Sequence, residues 1–174
     1  MKKFAPQEFL SQGGTLVLRE VEKRDCKALN GIMNEPEVNH FVYLPSPVPL
    51  ESTPKHWREL EKNGGKSVVA ELNGKVVGSV ELRPRRGREK HVAGFGIAFS
   101  QKAQGTGTAQ VTLAAALKHA KNNGIEIISA SCFADNKRAR AFYKKMHFKE
   151  VAVLKGYLKR GKKRANSVLI EKRL

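Results

Sequence analysis

One stretch constrains this chain more than any other: SQKAQGTGTAQVTLAAALKHA, residues 100–120. The apolar run before it, residues 95–99, reads as a strand, and after it Leu113, Leu117 and Ala120 recur at helical spacing. A strand that breaks through a glycine-rich turn into a helix leaves backbone N–H groups unpaired at the helix start, all facing one way. Such a turn is an anion site, and phosphate is its usual occupant. Spacing excludes two nucleotide-binding patterns. A Walker loop needs Gly-Lys-Ser/Thr where this chain has Gly107-Thr108-Ala109, and the dinucleotide fingerprint needs a third glycine where Gln110 stands.

Residues 1–14 carry no clear period and end in Gly13-Gly14, so a short arm is expected before a single domain over residues 15–174. Residues 15–21 alternate as a half-buried strand does, and Asp25 is placed to cap a helix to about Met33 whose apolar stripe is Ala28, Leu29 and Ile32. A loop with Pro45, Pro47 and Pro49 follows, then a helix that opens at Thr53-Pro54 and passes through Trp57 and Leu60. The runs SVVAEL and KVVGSVEL flank Asn73-Gly74, the preferred pair for a tight hairpin turn. Residues 83–90 read as a basic loop, 92–99 as a strand and 125–133 as a buried strand. Asp135 or Asn136 then caps a helix whose face is Ala139, Tyr143 and Met146; strands at 148–154 and 167–174 enclose a basic loop at 155–164. The order βααβββαβαββ predicts an α/β chain, a mixed sheet with helices on both faces.

Charge narrows the partners. With 33 Lys+Arg against 16 Asp+Glu the net charge is +17, a field that attracts polyanions such as coenzyme A, RNA, ribosomes or DNA. Cys26 and Cys132 stand far apart with no Cys/His cluster, which suggests neither a metal site nor a disulfide framework and fits a reducing, cytoplasmic setting. No apolar run has the length of a membrane span, and the first residues lack the hydrophobic segment of a signal peptide, so no membrane partner is expected. The clusters at 83–90, 137–145 and 155–164 keep open a basic RNA- or ribosome-binding module, although no aromatic platform interleaves the charges.

Two motifs together point to a family. Gln104-x-x-Gly107-x-Ala109, with Gly105 between, resembles the pyrophosphate turn Gln/Arg-x-x-Gly-x-Gly/Ala of the GCN5-related N-acetyltransferase (GNAT) family. Downstream, Asn136-x-x-Ala139-x-x-Phe142-Tyr143-x-x-x-His147-Phe148 is similar to that family's second signature, at the right distance. The resemblance covers residues 16–174. The opening LREVEKRDCKAL, then NEPEVNHF and the proline loop, resembles the branch of ribosomal-protein N-terminal acetyltransferases.

The resemblance implies a mostly antiparallel twisted sheet, splayed between its fourth and fifth expected strands, and an enzyme that moves an acetyl group from acetyl-CoA to a primary amine of a protein, peptide or small molecule, as a monomer or homodimer and without a metal. By the same likeness, main-chain groups of Ile97 and Phe99 pair with the pantetheine arm, and the amides of Gln104, Gly105, Thr106, Gly107, Thr108 and Ala109 take the pyrophosphate, helped by the helix dipole. Asn136 bonds the arm, and Tyr143 protonates the departing sulfur; a phenol of pKa about 10 still holds its proton at neutral pH. The chain departs from the pattern twice. His147 replaces a glycine, which asks for a changed backbone there, and Gly94 stands where many members carry the glutamate that deprotonates the amine. Glu81 is the first candidate to replace that base, ahead of Glu71, His40 and His91, each acting through water; the alternative is an enzyme that binds the amine already neutral. A lysine amine, of pKa about 10.4, needs such a base far more than an α-amine near 7.7 does.

Overall fold

The computed structural model describes residues 1–11 and 13–174. Its elements in chain order are β1 (Gln7–Ser11), β2 (Gly14–Glu20), α1 (Cys26–Met33), α2 (Pro36–Asn39), α3 (Ser52–Lys62), β3 (Lys66–Leu72), β4 (Lys75–Pro84), β5 (Val92–Phe99), α4 (Thr108–Asn122), β6 (Ile127–Phe133), α5 (Lys137–Lys145), β7 (Lys149–Arg160) and β8 (Lys163–Arg173). One sheet runs in the order β1-β2-β3-β4-β5-β6-β8-β7, antiparallel except between β5 and β6.

Strand alternation divides the molecule. Leu16, Leu18, Val68, Ala70, Val80 and Leu82 point to one side, fully buried, and share a core with Leu113, Ala116, Leu117 and Ala120 of α4. From the other side of the same strands Ser67, Ser79 and Glu81 face a cavity that is also walled by α1 and α3. The Asn73-Gly74 turn holds as expected, with both residues at positive φ and β3 paired to β4 across it.

Four local expectations change. Within the segment expected to form an arm, Gln7–Ser11 adds an edge strand to β2, and Phe4 ahead of it is 1% exposed against the core. The loop after α1 contains the short helix α2. Asp25 occupies the N-terminal flank of α1 without capping it: its carboxylate takes a bidentate contact from Arg19 at 2.7 and 2.9 Å and the Glu22 amide at 2.7 Å. The basic tract 155–164 is no loop, because β7 and β8 keep pairing through Leu158↔Ala165 and Arg160↔Lys163 up to a turn at Gly161.

Candidate active site

β5 and β6 start side by side and part. They pair only at Val92↔Ile127, Ala93↔Ile128 and Gly94↔Ser129, after which β5 stays bonded to β4 and β6 to β8. These are the fourth and fifth strands of the sequence reading, renumbered by the added β1. The wedge between them opens a cavity of about 1020 Å³. Along the β5 wall, the main chain beyond Gly94 has no strand partner on the β6 side.

At the wide end of the wedge lies the glycine turn. Gly105 and Gly107 have φ near +80° and nothing within 4 Å of where a side chain would begin, so the turn is both glycine-dependent and open. Thr108 starts α4, and no side chain caps that helix. Among the described residues the main-chain N–H groups of Gly105, Thr106, Gly107, Ala109 and Gln110 have no protein acceptor, which leaves a ring of donors at the positive end of a 15-residue helix. A pyrophosphate fits such a cradle. The hydroxyls of Thr106 and Thr108 turn inward instead, bonding each other at 2.7 Å, and the Thr108 amide leans on Thr106 Oγ1 at 3.3 Å. Gln104 reaches across to accept from Arg138 of α5.

Of the residues singled out in sequence, Glu81, Ile97, Phe99, Gln104, Gly105, Gly107, Ala109, Asn136 and Tyr143 all line this one cavity, whereas Thr106 and Thr108 do not. Asn136 caps α5, its Oδ1 accepting from the Ala139 amide at 3.0 Å, which leaves its amide nitrogen as the group able to reach a ligand. Tyr143 is 8% exposed and packs edge-on against Phe95 and Phe148. Burial pushes its phenol well above the usual range, so it remains a proton donor. Neighbouring Cys132 is pushed up to about 11, by burial first and by Glu150 second, and is a neutral thiol rather than a nucleophile.

Glu81 sits on the β4 wall of the cavity, a fifth of its side chain exposed, with its Oε2 accepting from His56 Nε2 of α3 at 2.9 Å and from Arg83 Nη2 at 3.1 Å. Burial alone would raise its carboxyl, but His56 and Arg83 outweigh that and hold it below the ordinary carboxylate range. Glu71, His40 and His91 stay outside the cavity, and Glu71 is tied to Arg19 at 2.8 Å. Three residues that no motif marked join the wall: His56, Arg83 and Trp57, whose buried indole N–H has no protein acceptor among the described residues. His56 and Trp57 lie in an unremarkable amphipathic helix, and only the pairing of α3 over β4 reveals them.

The family model described as "Acetyltransferase (GNAT) family" matches residues 29–148. No curated protein sequence matches the chain. Among solved structures it is similar to a ribosomal-protein-alanine N-acetyltransferase from Brucella melitensis, at 23% identity and TM-score 0.81 over 90% of this chain and 99% of that one. It is similar too to Mycobacterium smegmatis RimJ in complex with CoA-disulfide, at 22% identity and TM-score 0.82 over 97% of this chain and 86% of that one. A phosphinothricin acetyltransferase from Sinorhizobium meliloti in complex with AcCoA shares the fold at 18% identity and TM-score 0.81, over 91% and 88%. On a splayed sheet with this glycine turn, a match over residues 29–148 means that the chain belongs to the acetyltransferase (GNAT) family and is an acetyl-CoA-dependent N-acetyltransferase.

Proposed function

We propose that the acceptor is a primary amine on a polypeptide, an N-terminal α-amine or a lysine, met on a polyanionic assembly such as a ribosome. One observation carries this: a basic ribbon stands at the edge of the cavity. Past Phe133↔Ser167, the last pair with β6, the β7–β8 hairpin runs on with Lys155, Lys159, Arg160, Lys162, Lys163 and Arg164 and no carboxylate. Its tip is tied back to the end of β6 by Arg160, which stacks on Phe133 at 4.5 Å and pairs with Asp135 at 2.9 Å. Gly156 and Tyr157 share a side cavity of about 420 Å³ with Val42, Tyr43 and Leu44, and these last three also edge the main cavity. Phosphates drawn to the ribbon therefore present neighbouring amines to the wedge. The name of the Brucella protein of like fold, a ribosomal-protein-alanine N-acetyltransferase, points the same way.

In the chemistry we propose, the free amides of residues 105–110 hold the pyrophosphate and the open edge of β5 at Ile97 and Phe99 pairs with the pantetheine arm. Asn136 steadies that arm. The acceptor amine attacks the thioester carbon, a C–N bond forms as the C–S bond breaks, and the Tyr143 hydroxyl gives its proton to sulfur. Incubating purified ribosomal proteins with labelled acetyl-CoA and the enzyme, then mapping the label by mass spectrometry, tests the acceptor. Label concentrated on a few protein amines is the expected result, and preferential turnover of spermidine at low ionic strength would contradict it.

A further inference from the structure

The acceptor side of the wedge holds a group that no motif assigns. We infer that His56 is the base that takes the proton from the acceptor ammonium, with Glu81 as the positioning residue that orients its ring. This rests on the acetyltransferase reading of the site.

Geometry carries it. A carboxylate oxygen only accepts, so the 2.9 Å contact from His56 Nε2 to Glu81 Oε2 places the ring hydrogen on Nε2 and leaves the lone pair of a neutral ring on Nδ1. Half of the His56 side chain is exposed and it lines the same cavity as Tyr143, so a proton it collects has a route to water. Glu81 is the poorer base: its Oε2 already accepts from two donors, one of them a guanidinium. The strand beside it is shaped for that arrangement. Gly96 pairs with Glu81 across β4 and β5, and a side chain at Gly96 would begin 2.4 Å from Arg83 Nη2, so the missing Cβ is the space into which Arg83 folds to reach Glu81.

The charged groups acting on the His56 ring are Glu81 and Arg83 of β4 and Glu59 of its own helix. The other elements packed on α3, α1 and β3, bring no charged side chain to this wall: Cys26, Leu29, Ile32 and Met33 come from α1 and Ser67 from β3. The hydrogen bond to Glu81 raises the imidazole above its ordinary value despite burial and Arg83. Protons balance as follows: His56 takes one from R–NH₃⁺ and releases it to water, the amine attacks, Tyr143 protonates sulfur, and the second proton shed by nitrogen restores the phenol.

The test compares the parent with His56→Gln and Glu81→Gln, assaying transfer of labelled acetyl from acetyl-CoA to a tryptic peptide mixture across pH 5.5–9. In parallel, ¹⁵N NMR of the histidine rings of the full chain reads the tautomer. The parent should show an acid limb in kcat/KM. His56→Gln should flatten that limb and lose about 10²- to 10⁴-fold in kcat. Glu81→Gln should keep the limb and move it to lower pH, because the partner that raised the imidazole has lost its charge. A limb that survives His56→Gln, or that vanishes with Glu81→Gln alone, overturns the proposal, as does an Nδ1–H tautomer at His56. If the parent binds acetyl-CoA by calorimetry yet labels no peptide amine, the polypeptide-acceptor reading fails instead, while the NMR result still decides the orientation of His56.

Discussion

Tyr143 is held in place by the end of its own helix. The Phe148 amide donates to the Tyr143 carbonyl at 2.9 Å and the His147 amide to the Lys144 carbonyl at 3.0 Å, while the Phe148 ring packs on the Tyr143 ring. These are the bonds and the apolar contact of a Schellman stop, whose turning residue is normally glycine because it sits in the left-handed region. Here it is His147, at φ 62°. The substitution was expected to change the backbone; instead the histidine adopts the glycine conformation. Because the His147 side chain is exposed, His147→Gly removes strain and no packing, and a gain of about 1 kcal/mol in unfolding free energy by denaturant titration is expected. Tyr143→Phe is the complementary change. No protein group hydrogen-bonds the Tyr143 hydroxyl among the described residues, so the variant should unfold at the parent's midpoint and bind acetyl-CoA unchanged, while single-turnover acetylation falls about 10²- to 10⁴-fold. Parental turnover would remove it from the mechanism.

At the scale of elements, what sequence pattern reveals and what it hides divide on a physical line. The Asn73-Gly74 hairpin and the strand–turn–helix at residues 92–122 were legible because their signals are local: turn chemistry and periodicity. β1 and the far half of the β7–β8 hairpin were not. KGYLKRGKKR has neither β-branched residues nor alternation, and it is a ribbon because the ladder that reaches Leu154↔Ser167 resumes, past an irregularity at residues 155–157, through Leu158↔Ala165 to Arg160↔Lys163. His56 was hidden for the same reason, since its partner Glu81 lies 25 residues away on another element. Asp25 shows the converse error, a good capping residue taken for another use. It is 3% exposed and bonded to Arg19, which it shares with Glu71, so the β2–α1 connection is fastened to β3 by one guanidinium. Burial would raise the Asp25 carboxyl, but the Arg19 and Glu22 contacts hold it below the usual range. A depressed carboxyl lends stability that is fully present above the unfolded pKa of about 3.9 and is lost as pH falls through the lower folded value. Asp25→Asn should therefore cost about 2–3 kcal/mol at neutral pH, with parent and variant converging in thermal midpoint only below about pH 3.9. A gap independent of pH down to the acid limit would show that the charge contributes nothing.

The whole molecule joins two devices across one wedge. On the β5 and α4 side lie open amides and the positive end of a helix dipole; across the same cavity stand His56 of α3 with Glu81 and Arg83 of β4, and the basic ribbon is at its edge. Two motifs made the first device readable in sequence, because a pyrophosphate turn demands glycines at fixed places. The second follows from how α3 lies over β4, which no local pattern encodes. We propose that acetyl-CoA phosphates sit on the turn at Gly105 to Gly107, and calorimetry of acetyl-CoA binding to Gly107→Glu and Gly107→Gln reads this. Both variants strain the same positive φ and fill the same open space, so they should unfold at similar temperatures, and they differ only in charge. Both should bind more weakly than the parent, and the glutamate variant more weakly than the glutamine variant by at least about tenfold, roughly the 1.4 kcal/mol of one like-charge contact. Parental affinity in Gly107→Glu would contradict it.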